Sequence, residues 1–209
     1  MAYKDYNYST DNWNHIHSYV LAPLLKVLEQ KKERAILDLG CGNGWLVNHL
    51  LELGYNAYGT DASASGIELA QKKNKDRFFV QDLSKDELPQ QLQNIRFNTI
   101  ISTEVIEHLY QPKEYLDFCK KILCQNGGGE LILTTPYHGY LKNVVLALTG
   151  KMDKHFTVLW DGGHIKFWSR KTLTGLLADK GFKHIQFTGC GRLPYLWKSM
   201  MVSCIIGET

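Results

Sequence analysis

The chain has 209 residues, of which 44% are hydrophobic, and its formal net charge is +3. This length suits a single α/β domain spanning 1–209, because one core of that size buries most of its apolar surface. The mild charge, with Lys and Arg dispersed along the chain, argues against a nucleic-acid-binding protein. Five cysteines, an odd number without paired spacing, indicate reduced thiols and a cytoplasmic protein.

The sequence predicts neither export nor a membrane span. Residues 1–8 lack the positive start and apolar centre of a secretory signal, so we expect the protein to stay inside the cell. The nearest approach to a continuous apolar run, 143–149, is far shorter than the ~20 residues that cross a bilayer.

Helical and strand patterns alternate along the chain. An amphipathic helix at about 12–30, interrupted by Pro23, is expected to cap the ligand site. Further helices are predicted at 45–53, 65–74, 112–123 and 170–180, and strands at 35–39, 56–60, 78–81, 98–102, 130–134, 183–188 and 197–206. Because crossover helices join parallel strands, this order predicts a doubly wound, mainly parallel sheet with helices on both faces.

A glycine-rich loop follows the first predicted strand. Gly40, Gly42 and Gly44 lack a Cβ, so the backbone can turn sharply and let a ligand approach closely. This arrangement is typical of a nucleotide cradle. A tight turn between a strand and a helix would explain the same glycines.

Acidic residues end the next two predicted strands. Asp61 lies about 20 residues past the glycines, where a carboxylate can accept hydrogen bonds from both ribose hydroxyls. The alternative is that Asp61 caps the helix that starts near Ser63. Asp82, followed by Leu83, ends the third strand, so acids are predicted along one rim of the sheet.

Four features together resemble class I S-adenosylmethionine-dependent methyltransferases. They are the segment Ile36-Leu-Asp-Leu-Gly-Cys-Gly-Asn-Gly44, Asp61, Asp82 and the segment Ile100-Ile-Ser-Thr-Glu-Val-Ile-Glu-His-Leu109. The part from Glu104 to Leu109 is most similar to the ubiquinone-biosynthesis O-methyltransferase group, of the methyltransferase type 11/12 kind. The resemblance implies a Rossmann-like, seven-stranded sheet whose last strand is antiparallel.

The resemblance also implies S-adenosylmethionine as the cofactor and a small-molecule methyl acceptor. The acceptor atom would be an oxygen of a hydroxylated aromatic, a quinone precursor or a sugar-like metabolite. The implied cofactor-binding residues are Asp38, Gly40, Cys41, Gly42, Asp61, Ala62, Asp82, Leu83 and Thr103. Asp38 would hold either the loop or the methionine ammonium, Asp61 the ribose, Asp82 with Leu83 the adenine, and Thr103 would face the methionine end.

The motif at 104–108 raises the question of a metal. If the chain turns helical after Ser102, Glu104, Glu107 and His108 share one face and would suit Mg²⁺. The corresponding positions resemble metal ligands in eukaryotic ubiquinone-type enzymes. In many other methyltransferases the same residues only support loops and hydrogen bonds, so we assign no metal.

The segment 136–168 is expected to bind the acceptor, because it follows the fifth strand at the ligand-binding edge. Its aromatic residues would form an apolar pocket for a flat or lipidic acceptor: Tyr137, Tyr140, Phe156, Trp160, Phe167 and Trp168. Candidate bases are His138, His155 and His164. Glycines flank His164, which makes it our first choice, and His108 is a weaker candidate. A purely structural histidine in the loop is the alternative.

Residues 140–160 resemble the membrane-touching insertion of bacterial ubiquinone-pathway enzymes. At a membrane surface, Lys142, Lys151 and Lys154 would lie near headgroups. The protein would then be peripheral to the inner membrane. The alternative, which we favour from sequence, is a helical lid packed on its own domain.

The chain departs from the ubiquinone enzymes, and other classes of protein compete. It has no Arg before Arg34, and His15 and His17 stand where the family has a cofactor-binding arginine. Ser102-Thr-Glu-Val replaces the Pro-Pro-Tyr motif of nucleic-acid amino-methyltransferases, and the glycine spacing does not suit NAD. A non-catalytic cofactor-binding or membrane-surface adaptor remains the main alternative, ahead of a nucleic-acid or protein methyltransferase.

Overall fold

The computed structural model describes residues 5–29, 31–125, 127–156, 159–160 and 162–207. Within these ranges the strands are β1 (Ala35–Leu39), β2 (Asn56–Asp61), β3 (Phe78–Val80), β4 (Phe97–Thr103), β5 (Gly129–Pro136), β6 (Lys183–Cys190) and β7 (Ser199–Ile206). The α-helices are α1 (His17–Leu28), α2 (Trp45–Glu52), α3 (Ala64–Gln71), α4 (Pro112–Cys124), α5 (Tyr140–Leu148), α6 (Met152–Phe156) and α7 (Arg170–Asp179).

The seven strands form one sheet in the order β3-β2-β1-β4-β5-β7-β6. Strands β1 to β5 pair in parallel, whereas β7 lies antiparallel between β5 and β6. The predicted doubly wound sheet with an antiparallel last strand is therefore confirmed. Strand order reverses between β1 and β4, and ligands bind outside the carboxyl ends of strands at such a switch point.

The hydrophobic core lies on both faces of the sheet. All five residues of β1 are buried, as expected of a central parallel strand covered on both sides. Ile36 packs on one face with Leu24 of α1 and Leu50 of α2. Leu37 packs on the other face with Leu123 of α4 and residues of α7. The core thus holds the carboxyl ends of β1 and β4 rigidly in place.

Two predicted helices differ from the structure. Helix α1 starts at His17, five residues later than predicted, and it contains Pro23; its predicted end at Gln30 lies outside the described residues. The expected helix after Ser102 is wrong, because β4 continues to Thr103 and a short 3₁₀ turn follows at Ile106–His108. The glycines that follow α4 also predict a turn at 126–129, of which Asn126 lies outside the described residues.

The segment 136–168 contains two short helices. The first, α5, buries a lysine and exposes several apolar side chains. In α5 only Lys142 is buried, whereas Tyr140 and Leu148 are 85% and 82% exposed. Val144 and Leu146 are half-buried, so α5 packs only in part on its own domain, and the lid interpretation stays a prediction. No helix within the described ranges has the length and apolar character needed to span a membrane.

Candidate active site

The glycine loop after β1 requires glycine at each of the three predicted positions. Gly40, Gly42 and Gly44 have φ angles of 86°, 57° and 74°, which L-residues rarely adopt. A Cβ on Gly44 would lie 2.3 Å from Cβ of Ala70. The N–H groups of Gly40 and Cys41 both donate to the carbonyl of Thr60, at 2.8 and 2.9 Å, which holds the loop against β2.

Asp61 joins this loop to the start of α3. Its Oδ2 accepts from the N–H of Gly42 and its Oδ1 from the N–H of Ser63, each at 2.8 Å. The N-cap of α3 is Ser63, whose hydroxyl accepts from the N–H of Gly66, so the interpretation of Asp61 as the cap is wrong. Burial raises the pKa of Asp61 despite these hydrogen bonds.

Asp38 lies fully buried at the floor of the site. Neither of its carboxylate oxygens has a hydrogen-bond partner among the described residues. Burial, together with the nearby charge of Asp61, raises the pKa of Asp38 to about 8. Buried polar atoms in native proteins almost always have a partner, so this carboxylate fits a ligand that brings its own donor, such as an ammonium group.

All nine residues that the resemblance implied for cofactor binding line one cleft at the carboxyl edge of the sheet. The cleft has a volume of about 2500 Å³ and also contains His108, His164 and Glu104. Asp82 is exposed at the rim, where its Oδ1 accepts from the N–H of Ser84 at 2.9 Å. The structure therefore brings together residues that are separated by up to 126 positions, from Asp38 to His164.

Residues 5–14 form a strap across the cleft, which we did not predict. Asp5 accepts from the hydroxyls of Ser63 and Ser65, at 2.7 and 2.5 Å, next to the start of α3. Tyr6 packs edge-on against Trp160 on the opposite side of the cleft. The sequence signal for the strap is weak, because an extended segment has no helical periodicity, and only the repeated tyrosines mark it.

The two glutamates of the 104–108 motif have structural partners. Oε1 of Glu104 accepts from the hydroxyls of Ser199 and Thr134, at 2.6 and 3.0 Å, and the residue has a φ of 55°. Burial raises the pKa of Glu104 to about 7. Oε2 of Glu107 accepts from Thr135 at 2.9 Å. The backbone carbonyl of Glu107 accepts from Ile165, which fastens the loop after α6 to the sheet.

The predicted metal-binding trio is not assembled as expected. The donor atoms that lie within 4.8 Å of one another belong to Glu107, His108 and His164, searched over the described residues. Glu104 is absent from this group because Ser199 and Thr134 hold its carboxylate. One carboxylate with two imidazoles does not suit Mg²⁺, which prefers oxygen ligands.

The acceptor side of the cleft contains only part of the predicted aromatic pocket. Its walls include Phe156, Trp160 and Phe167. Tyr137 instead packs in the core against Trp197, at a ring distance of 5.1 Å, and Tyr140 faces solvent. Of the other predicted residues, His155 lines the cleft. Trp168 packs on the core, and His138 stacks on the ring of Phe156.

Two histidines face each other in this part of the cleft. The rings of His108 and His164 lie 4.9 Å apart, edge to face. Burial lowers the pKa of both, that of His108 to about 4. Lys142 contributes to the lowered pKa of His164. Both imidazoles are therefore neutral near pH 7, and each is a weaker base than a free imidazole.

The strand order, the glycine loop and the acids at the ends of β1 and β2 define the Rossmann-like fold of class I methyltransferases. A family model described as "Methyltransferase domain" matches residues 13–186. The chain therefore belongs to this methyltransferase family.

Several relatives by sequence are named ubiquinone biosynthesis O-methyltransferases. The chain is 30% identical over 122 residues to the ubiquinone biosynthesis O-methyltransferase of Pelagibacter ubique, a match that covers 57% of this chain and 48% of the relative. It is 27% identical over 161 residues to that of Dinoroseobacter shibae, with coverages of 74% and 62%. The chain thus spans about half to two thirds of the length of these relatives.

Solved structures agree on the fold. Magnesium protoporphyrin IX methyltransferase from Synechocystis PCC 6803, with bound SAH, matches 89% of this chain and 80% of its own, with a TM-score of 0.61 and 20% identity. A SAM-dependent methyltransferase from Aquifex aeolicus matches 94% of each chain, with a TM-score of 0.66 and 16% identity. At these identities the likeness concerns the fold alone.

Proposed function

We propose that the chain is an S-adenosylmethionine-dependent methyltransferase that methylates an oxygen of a small molecule. The observation that carries this proposal is the buried carboxylate of Asp38, which has no hydrogen-bond partner in the described part of the chain and lies beneath a loop of three left-handed glycines. A ligand with an ammonium group would supply the missing donors. S-adenosylmethionine has such a group, and its sulfonium supplies the methyl group when it is bound.

Each residue at the edge of the sheet would bind a different part of the cofactor. Asp38 would accept from the ammonium, and Gly40, Cys41 and Gly42 would pass beneath the methionine part. Asp61, beside Ala62, would bind the ribose hydroxyls, since each carboxylate oxygen can accept a further hydrogen bond besides those from Gly42 and Ser63. Asp82 and Leu83 would frame the adenine at the rim, and Thr103 would face the methionine end.

The histidines of the cleft are the candidates for the general base that deprotonates the acceptor. Methyl transfer is an in-line displacement, so positioning contributes most of the rate enhancement. An acceptor hydroxyl must also lose its proton, and His164 is neutral and lines the cleft, so it can take that proton. His108 lies beside it and is the second candidate. Phe156, Trp160 and Phe167 offer flat apolar walls, which favour an aromatic acceptor.

The exposed face of α5 favours contact with a membrane surface. Tyr140, Leu141 and Leu148 are exposed, and Lys151 and Lys154 are exposed just beyond the helix. Apolar side chains beside lysines are typical of segments that lie on anionic headgroups. Lys142, which was expected near headgroups, is buried and takes no part. In this arrangement the enzyme is cytoplasmic and peripheral to the inner membrane.

Titration calorimetry tests the cofactor, and methyl transfer tests the enzyme. We expect S-adenosylmethionine to bind the purified chain and NAD not to bind. Transfer of labelled methyl to catechol-type acceptors would then separate an enzyme from a non-catalytic adaptor, which binds the cofactor and yields no product. For the membrane contact, we expect flotation with anionic liposomes at low salt, and replacement of Leu148 with Asp should abolish it. Absence of co-flotation would end that proposal.

A further inference from the structure

Lys142 is the one buried residue of α5 and faces the cleft, although the helix offers several apolar side chains for burial. Its exposed fraction is 4%. Burial of a lysine costs free energy unless its charge is compensated, whereas burial of Leu or Val would stabilise the fold. This orientation of α5 is therefore less stable than one with an apolar residue buried, and it places an ammonium group at the cleft.

The protein leaves this ammonium largely unpaired. Among the described residues its only hydrogen bond runs from Nζ to the carbonyl of Lys198, at 3.3 Å, so two of its three donors have no acceptor. Glu104 is close enough to Lys142 to counter part of the fall in its pKa, but Oε1 of Glu104 is held by Ser199 and Thr134. Glu104 forms no ion pair with Lys142 within 4 Å in the described part of the chain.

Further positive groups line the same cleft. Arg192 lies close enough to Lys142 to lower its pKa, and with burial as the main cause that pKa falls to about 8. In the described ranges Arg192 has no carboxylate within ion-pair distance. Lys198 also lines the cleft, with its ammonium 4.9 Å from the ring of Tyr19. Lys142 and Arg192 repel each other, and a negatively charged ligand group would relieve that repulsion.

We propose that Lys142 and Arg192 form a subsite for an anionic group, a carboxylate or a phosphate, on the methyl acceptor. The inference rests on the proposed function for the identity of the ligand as an acceptor. Aromatic walls at Phe156 and Phe167 lie in the same cleft, so the chemical class is an aromatic hydroxy acid or an aryl phosphate rather than a neutral phenol. Lys142 thereby determines specificity.

The subsite is tested with three small probes that each carry one polar group on a phenyl ring: benzoate, phenyl phosphate and neutral benzyl alcohol. Their dissociation constants are measured by NMR titration against the protein saturated with S-adenosylhomocysteine, and again against the protein alone. We expect at least one anionic probe to bind at least tenfold more tightly than benzyl alcohol. The order of benzoate and phenyl phosphate then identifies the anionic group.

Variants of Lys142 test whether this residue causes the preference for anionic probes. Lys142→Met keeps the length of the side chain without the charge, and it removes the cost of burying an ammonium group. We expect it to remove the preference for the anion, and Lys142→Arg to keep most of it. The matched control is Lys171→Met, at an exposed position of α7, which should bind all probes like the unmodified protein.

Two results would overturn the subsite: equal affinity for benzyl alcohol and both anions, or an unchanged anion preference in Lys142→Met. Failure of the proposed function looks different. In that case S-adenosylhomocysteine does not bind, while the anion preference and its dependence on Lys142 persist in the protein alone.

Discussion

Oδ2 of Asp61 accepts a hydrogen bond from the N–H of Gly42 at 2.8 Å. This bond joins the end of β2 to the glycine loop after β1, 19 residues earlier in the chain. The same carboxylate accepts from Ser63, so one side chain fixes the loop and the approach to α3. Asp61 is therefore both part of the scaffold and a candidate ribose ligand.

Asp61→Ala should weaken both stability and cofactor binding. The N–H groups of Gly42 and Ser63 lose their acceptor, which costs about 1–3 kcal/mol of unfolding free energy. We expect the dissociation constant of S-adenosylmethionine, measured by calorimetry, to rise at least tenfold. Asp76→Ala, at an exposed position away from the cleft, is the control. An unaltered dissociation constant in Asp61→Ala would exclude the ribose role.

Gly44→Ala should destabilise the fold itself. The left-handed backbone costs a Cβ-bearing residue about 1–2 kcal/mol, and crowding against Ala70 and Phe78 adds about 1–3 kcal/mol. Urea unfolding should therefore show a loss of at least about 2 kcal/mol. Gly175→Ala, in α7 with open space around it, should instead gain up to about 1 kcal/mol. If both variants unfold at the same urea concentration, the loop geometry is wrong.

The raised pKa of Asp38 predicts a pH dependence of stability. The folded protein without cofactor keeps this proton up to about pH 8, whereas the unfolded chain loses it near pH 4. The folded state thus binds more protons in that window, so this group reduces stability as pH rises from about 4 to 8. Asp38→Asn removes the effect, and its stability relative to the unmodified protein should grow with pH.

Histidines with lowered pKa values, such as His108, act in the opposite direction below about pH 6.5. The comparison is therefore made by urea unfolding between pH 6.5 and 8.5, where the difference between the two proteins isolates Asp38. If the unfolding free energies of the two proteins differ by the same amount at every pH in this range, the carboxyl of Asp38 is not protonated in the folded state.

His164→Ala should lower the turnover number at least tenfold and leave cofactor affinity unchanged, because general bases contribute about 10²–10⁴ to rates. The assay is methyl transfer to whichever catechol the enzyme accepts, with calorimetry of the cofactor on the same sample. The control is His184→Asn, an exposed position in β6. A turnover number equal to that of the unmodified protein would remove His164 from the mechanism.

Removal of metal should not affect turnover. Glu107 already binds Thr135 through its side chain and Ile165 through its carbonyl, which are structural contacts. We expect prolonged EDTA treatment and later addition of Mg²⁺ to leave the rate of methyl transfer unchanged. Loss of activity with EDTA and its recovery with a divalent ion would show that Glu107, His108 and His164 hold a metal.

Local patterns predicted the fold, and the nine residues that they suggested for cofactor binding line one cleft, where the binding role stays a prediction. The apolar run of β1 and its glycines specify strand, loop and helix within about 20 residues, so this part could be derived from the sequence. The geometry of Glu104 could not, because its partner Ser199 is 95 residues away. No periodicity predicts the strap at 5–14, whose contacts are with α3 and Trp160.

The helix α5 shows the limit of amphipathic patterns. A pattern of apolar and polar positions identifies two faces of a helix, and we assumed that the apolar face packs inward. Lys142 faces inward instead. Local patterns do not predict this orientation, because the contact of Lys142 with the carbonyl of Lys198 joins residues 56 positions apart.

The binding mode of the cofactor can be measured in a crystal structure with S-adenosylhomocysteine. We expect the ligand in the cleft above β1 and β4, with its ammonium within hydrogen-bonding distance of Asp38 and its ribose hydroxyls on Asp61. Density for the ligand elsewhere on the protein, or none after soaking at millimolar concentration, would show that this cleft is not the cofactor site.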